Sequence, residues 1–435
     1  MLACLAARLR TLGGALCAGV LLQAGLAASE PIVSDSIQLE DVIRTAVRTR
    51  GELAAANARA EAMAVRPAIV GALEDPMISP SIDHYPFDMP NGEEEMGEGG
   101  GGQRYDWSVS VEQRFPLSGV RGHRRDAARA EADRAKAVAD NTQLDIVLDA
   151  QRSFFMLLER QRMRSVLVEQ EALARQLIEV SSARYASGTG SQADVLRAEV
   201  EAARARGAQE SLMAQTRAAQ AMLNASMGRT AGESIPELVH VPNTEPPLTA
   251  PAAIERALLR RPELIAGEAE VERARAEVEV MRSMYKPMAT VRIGRASTMA
   301  EGPGAMLMIG VSVPIWRERL RAGVAEARAM QRMADSDLSA MRRMVEAEAV
   351  NARESVEAAR VQYAVLEEDI LPRARDASDA ALAAYSSGQG TLISVIESAR
   401  ALWEVQAEQV MAETALGEAW ARLHRATGEF EARAP

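Results

Sequence analysis

Few side chains in this 435-residue chain are spaced for chemistry. The histidines, His84, His123, His240 and His424, lack the short separations that let imidazoles share a metal ion. The only cysteines, Cys4 and Cys17, lie near the N-terminus. No nucleotide-binding, hydrolase or metalloenzyme motif occurs, so no catalytic residue, cofactor or metal site is expected. Methionines gather at Met281, Met284, Met288, Met299, Met306 and Met308. Thioethers suit soft ions such as Cu(I). Methionine also fills irregular packing, and that is the plainer reading. Ser191 precedes Asp194 by three residues, the spacing of a helix N-cap. Glu397 stands one helical turn before Arg400, as on a solvated helix face.

The elements that carry these residues are written twice. Arg184-Tyr185-Ala186-Ser187-Gly188-Thr189-Gly190 is echoed by Ala384-Tyr385-Ser386-Ser387-Gly388-Gln389-Gly390, 200 residues later. Arg50-Gly51-Glu52-Leu53 returns as Arg261-Pro262-Glu263-Leu264, and Phe115-Pro116-Leu117 as Val313-Pro314-Ile315. Three anchors in one order indicate a duplicated unit. The expected division is a signal peptide (1–28), a first repeat (29–228), a connector (229–251) rich in proline, a second repeat (252–428) and a short tail (429–435). Arg8 and Arg10 followed by an apolar run to Ala27 give the leader the form of a secretory signal. Its removal would take the formal charge from −11 to −13 and leave no cysteine, which argues against nucleic acid as partner and against disulfides.

Between Leu117 and Ile235 there is no proline, and Ala, Arg, Glu, Gln and Leu dominate. One helix over Gly119 to Ser187 would be about 100 Å long. The second copy should run from Arg317 to Ser387 with a kink or short break at Pro372. Each long helix ends at Gly-x-Gly and restarts, over Ser191 to Met227 and Thr391 to Ala426, which predicts helical hairpins. The four tip glycines, Gly188, Gly190, Gly388 and Gly390, are expected to supply backbone angles closed to other residues.

Strands are expected at about 76–86, 104–115, 288–295 and 306–315. From Tyr105 to Glu112 odd residues are apolar and even ones polar, and Leu307, Ile309, Val311 and Val313 keep that parity. Length and alternation fit transmembrane barrel strands. Tyr85, Tyr105, Trp107, Phe115, Tyr285 and Trp316 cluster in these regions, where aromatic girdles would lie. The parity also puts Met288, Met306 and Met308 on the inner face. Four strands cannot close a barrel, and open edges are not tolerated in lipid, so several chains must share one. A soluble hairpin, within a periplasmic coiled-coil scaffold that never inserts, is the other reading of the same pattern.

This order of elements resembles the TolC-like outer membrane factor family over about Ile37 to Thr427. The resemblance rests on Arg184-Tyr185-x-x-Gly188 with Asp194-Val195-Leu196, on Tyr385-x-x-Gly388 with Val395-Ile396-Glu397, and on the segments ending Phe115-Pro116-Leu117 and Val313-Pro314-Ile315. It implies a mainly α fold with membrane β: a homotrimer with a twelve-stranded barrel in outer membrane lipid and a periplasmic α-helical tunnel. It implies a passive exit duct of a tripartite efflux system or of a type I protein-secretion machine. Its partners would be a periplasmic adaptor at the tips and an inner-membrane pump, proton-driven and of RND type for efflux. By the same resemblance Asp194 and Tyr385 brace the closed tunnel end, and Glu397 lines its mouth. Gly390 and Ser394 depart from the family's arginine and aspartate. Glu74-Asp75-Pro76-Met77 and Phe115-Pro116-Leu117-Ser118-Gly119 are similar to its heavy-metal branch, so metal cations or other small toxic compounds are the expected cargo.

Overall fold

A computed structural model describes residues 36–83, 105–298 and 302–429. The leader, His84, Tyr85, the acidic glycine-rich loop before Arg104 and Met299 lie outside the described residues. The order is β1 (Ser36–Ile37), α1 (Leu39–Thr49), α2 (Gly51–Val70), β2 (Met77–Asp83), β3 (Asp106–Pro116), α3 (Val120–Ala186) and α4 (Gln192–Ser226). After β4 (Glu237–Leu238) it recurs as α5 (Ala250–Arg260), α6 (Pro262–Ser283), β5 (Met288–Thr298), β6 (Gly302–Ser312), α7 (Arg317–Val365), α8 (Leu371–Ser386) and α9 (Leu392–Thr427).

The spine is α3, 67 residues and about 100 Å long. It packs on α2 and α6 at its strand-proximal end and on α4 and α9 toward its tip, so its buried stripe moves around the helix. Leu144, Phe154, Phe155, Leu157, Leu158 and Leu177 are its most deeply buried large side chains. The repeated Arg-x-Glu-Leu anchor marks the elbow between consecutive helices in both copies. Arg50 donates to Glu52 from Nε at 2.9 Å and Nη2 at 3.1 Å, and Arg261 does the same to Glu263 at 3.0 and 2.8 Å. In the second copy this pair joins a larger cluster. Arg425 of α9 donates to Glu263 at 2.6 Å, to Asp145 of α3 at 2.8 Å and to Asn141 at 2.9 Å. Helices from both repeats are thereby pinned at one level.

The expected break at Pro372 is a π-helical turn, Leu366–Ile370, between α7 and α8. Proline cannot donate to the helical ladder and crowds the carbonyl four residues earlier, so the ladder widens by one residue and the helix continues. The connector is also more ordered than its composition suggests. Its β4 pairs in parallel with β1, and Gln161 of α3 holds it on both sides, accepting from Leu238 N at 3.0 Å and donating to Pro236 O at 3.5 Å.

The remaining strands form one antiparallel sheet in the order β2-β3-β5-β6. Three boundaries of the second hairpin differ from expectation. β5 runs on to Thr298, which takes Arg295 inside the strand, and β6 spans Gly302 to Ser312, leaving Val313, Pro314 and Ile315 beyond it. Pairing decides this: every residue of β5 from Met288 to Thr298 has a partner on β6. Pro314 has no N–H to extend the ladder.

Candidate functional site: the helical tips and the four-stranded sheet

The two tips are built alike. Gly188 N bonds Tyr185 O at 3.0 Å and Thr189 N bonds Arg184 O at 2.9 Å; Gly388 N bonds Tyr385 O at 3.1 Å and Gln389 N bonds Ala384 O at 2.9 Å. This is the Schellman pattern, with the glycine in left-handed conformation, φ +74° at Gly188 and +80° at Gly388. Gly190 and Gly390 have no such angle, which corrects the expectation for them. They are small because the chain doubles back: a Cβ on Gly190 would lie 2.9 Å from Arg184 Cβ, and one on Gly390 would lie 3.0 Å from Tyr385 N. The next helix is then capped. Ser191 Oγ accepts from Asp194 N at 3.2 Å, and Thr391 Oγ1 accepts from Ser394 N at 3.3 Å.

Tyr385 joins the tips. It is 2% exposed and packs with Leu177, Ala198, Leu392, Val395 and Ile396, so four helices meet around one ring. Arg184 lies with its guanidinium carbon 4.8 Å from the ring centre and donates through Nη1 to Tyr385 O at 2.6 Å. The first tip therefore holds the second across 201 residues of sequence. The Tyr385 hydroxyl is buried with no hydrogen-bond partner in the protomer. Burial pushes its ionisation up, the Asp194 charge adds to this, and Arg184 opposes it. The Asp194 carboxylate itself accepts from Arg197 at 3.3 Å. Asp194 and Tyr385 are thus brought within electrostatic reach, while the direct clasp runs from Arg184. Arg184 opens the first tip motif, but its role as the clasp was not read from the sequence. The available signal was that the two tip motifs differ there, Arg184 against Ala384.

Glu397 is exposed, on a groove of about 490 Å³ between α4 and α9 lined in part by Leu196, Val200, Ile393 and Ile396. Arg400 turns away from it to Glu201 of α4, which is 5% exposed and also accepts from Arg204 at 3.1 Å. The pair of buried Glu201 and exposed Arg400, not anticipated from sequence, ties α4 to α9 close to Glu397.

The sheet has two unlike faces. One carries the row Ile78, Val111, Ile293 and Leu307, flanked by Val109, Val291, Ile309 and Val311. Leu307 and Ile309 are each 68% exposed, and Ile293 and Val311 are also exposed. Trp107 and Phe115 stand on this face at opposite ends of β3, eight residues or about 27 Å of strand apart. Tyr105 precedes β3, and Tyr285 and Trp316 flank the β5-β6 hairpin at its helix-proximal end, where Arg317 lies 5.9 Å from the Tyr285 ring centre. Arg295 is the charged residue on the apolar face, opposite Val109 and Ala305, where Gln113 and Ser297 are also polar. It lies two residues from the central row, toward the end of the sheet remote from the helices.

The other face holds Ser79, Ser81, Ser108, Ser110, Glu112, Arg292 and Thr290. Glu112 accepts from Arg292 Nε at 3.0 Å and from Arg114 Nε at 3.4 Å. Both edges of the sheet, β2 and β6, have no strand partner among the described residues. None of the described helices is long and apolar enough to cross a membrane. Among the described residues no grouping of three or more His, Cys, Asp or Glu could hold a metal ion.

Comparison with known proteins agrees with this architecture. The family model described as outer membrane efflux protein matches residues 42–229 and again 253–429, once per repeat. The chain is 26% identical over 291 residues to the cobalt-zinc-cadmium resistance protein CzcC of Cupriavidus metallidurans, covering 67% of this chain and 69% of that protein. Among solved structures it is similar to CusC, with TM-score 0.77 and 14% identity over 91% of this chain and 93% of that one. It is similar also to the outer-membrane channel OprN, with TM-score 0.76 and 17% identity over 90% of each chain. For VceC of Vibrio cholerae the TM-score is 0.74 and the identity 16%, over 90% of this chain and 96% of that one. The duplicated helical hairpins, the open four-stranded sheet and the double family match lead to one assignment: the chain belongs to the outer membrane efflux protein family.

Proposed function

We propose that this protein is the passive exit duct of a tripartite efflux system, a homotrimer in the outer membrane of a Gram-negative bacterium with metal cations as its cargo. The observation that carries the reading is the four-stranded sheet with one apolar, solvent-facing side and two unpaired edges. Lipid tolerates neither an open edge nor an isolated four-stranded sheet, and three copies provide the twelve strands of a closed barrel. The long helices then continue the barrel as a tunnel. Residues 1–28 serve as the cleaved export signal. A periplasmic adaptor docks at the Gly188 and Gly388 tips, and an inner-membrane pump of the proton-driven RND type supplies the energy. Metal cargo is supported by the likeness to CzcC, named for cobalt, zinc and cadmium resistance. Protein secretion through the same fold is the competing reading.

Deleting the gene should sensitise its host to divalent metals, and the protein should partition with outer membranes and run as a trimer by native mass measurement in detergent. A monomer with full strand content would refute the shared barrel. Unchanged metal resistance combined with loss of a secreted protein would transfer the duct to secretion.

A further inference from the structure

The polar face of β6 reads Gly302, Gly304, Met306, Met308, Gly310, Ser312, since alternate residues of a strand share a side. Its register settles which side: Met308 lies opposite Arg292 and Met306 opposite Gly294, so both thioethers share the face of Glu112 and Arg292. They are the only side chains larger than serine on that strip. Met306 has Gly304 beside it and Gly294 opposite, Met308 has Gly310 beside it and Arg292 opposite, and Met308 is 41% exposed. A methionine that fills packing is surrounded by other side chains. These two instead stand out from a bare strip toward the space that a closed barrel would enclose.

We propose that Met306 and Met308 form a low-affinity contact for soft monovalent cations, the Cu(I) and Ag(I) class, on the barrel's inner wall. The inference rests on the exit-duct reading and adds an ion class that neither the histidines nor the carboxylates of this chain favour. Residues i and i+2 of a strand lie about 6.8 Å apart along one face. Two unbranched side chains with three rotatable bonds each can bring their sulfurs around one ion, and thioethers prefer soft, polarizable cations. The nearest cationic side chain on that face, Arg292, is paired with Glu112, which offsets its repulsion. A thioether carries no proton at any physiological pH, so binding releases none and should not vary with pH, unlike capture by histidine or carboxylate. Two neutral sulfurs bind weakly, as transit requires, because an ion in a pore must leave as readily as it enters.

The test uses the full-length protein purified in detergent, with Ag(I) as a probe that does not change oxidation state. Equilibrium dialysis with metal analysis should find about one more Ag(I) per protomer in the wild type than in a Met306→Leu/Met308→Leu variant, which keeps size and apolarity. Met308→Leu alone, at an exposed position, should weaken that site at least tenfold should the double variant assemble poorly. The difference should be the same at pH 5.5 and pH 8, and Zn(II) binding should be equal in both proteins. In planar bilayers, Ag(I) should transiently reduce the current of the wild type and leave that of the variant unaltered. Equal Ag(I) stoichiometry and affinity in wild type and variant, with channels conducting normally, would overturn the thioether contact and leave the duct standing. Absence of any conducting trimer would instead remove the duct reading on which the contact depends.

Discussion

Placing a single arginine on either side of β6 tests the orientation of the sheet. Leu307 belongs to the central row with Ile78, Val111 and Ile293, all on the apolar face, and is 68% exposed in the protomer. Leu307→Arg would set a guanidinium at the middle of the hydrocarbon at a cost of about 2–4 kcal/mol per copy. Each 1.4 kcal/mol is tenfold, so the insertion equilibrium should fall by roughly 30- to 700-fold per protomer. Gly310→Arg is the control on the opposite face: it has ordinary backbone, and a Cβ there meets nothing nearer than Thr290 Cβ at 3.7 Å. It should cost less than about 1 kcal/mol in a water-filled lumen. Ala305→Arg falls between: its level lies away from the central row and already accommodates Arg295, but the two guanidiniums would face one another and repel. Denaturant titration of refolding into liposomes, read by trimer mobility in gels, gives the three midpoints. The order Leu307→Arg most harmful, Ala305→Arg less and Gly310→Arg least is expected. Equal midpoints for Leu307→Arg and Gly310→Arg would refute the assigned faces and with them the membrane reading of the sheet.

Gly388→Val should strain the second tip by about 1–2 kcal/mol or more, since its left-handed angle is costly for any residue with a Cβ. Trimer melting should then fall slightly while efflux fails, and full resistance in that variant would move adaptor docking elsewhere. Glu263 is buried, which raises its pKa, but bonds from Arg261 and Arg425 outweigh this and bring it to about 2. A depressed carboxylate stabilises the fold above its unfolded pKa and loses that contribution as pH falls from about 4.5 toward 2, at most about 3 kcal/mol here. Circular-dichroism melts at stepped pH should show Glu263→Gln destabilised at pH 7 and converging on the wild type near pH 2; parallel curves would contradict the linkage. On the reading that Glu397 lines a tunnel mouth, Glu397→Gln removes an exposed charge there and should reduce cation preference in planar bilayers under a salt gradient. An unmoved reversal potential would mark Glu397 as an ordinary solvated helix residue.

Much of the architecture is readable from local patterns, because helix and strand formation depend on neighbours in sequence. The proline-free stretch from Leu117 specifies α3 to within a residue or so at each end, and the parity from Tyr105 to Glu112 assigns the faces of β3. The strand count, read from the same patterns, already excludes a barrel made by one chain. Strand ends were less legible: pairing with β3 and β6 carries β5 past Arg295, whereas an isolated arginine reads as a terminus. The widened turn before Pro372 also required the structure, because sequence marks the lost donor but not how the helix absorbs it. The residues that clasp distant elements were invisible. Arg184 finds the Tyr385 carbonyl, Arg400 finds Glu201, and Arg425 finds Glu263 only after four or more helices are set side by side. Periodicity states which face of an element is apolar; it contains no term for which other face it will meet. That choice belongs to the packing of the whole chain, and it decides which of the many arginines and carboxylates become clasps and which, like Glu397, stay in water.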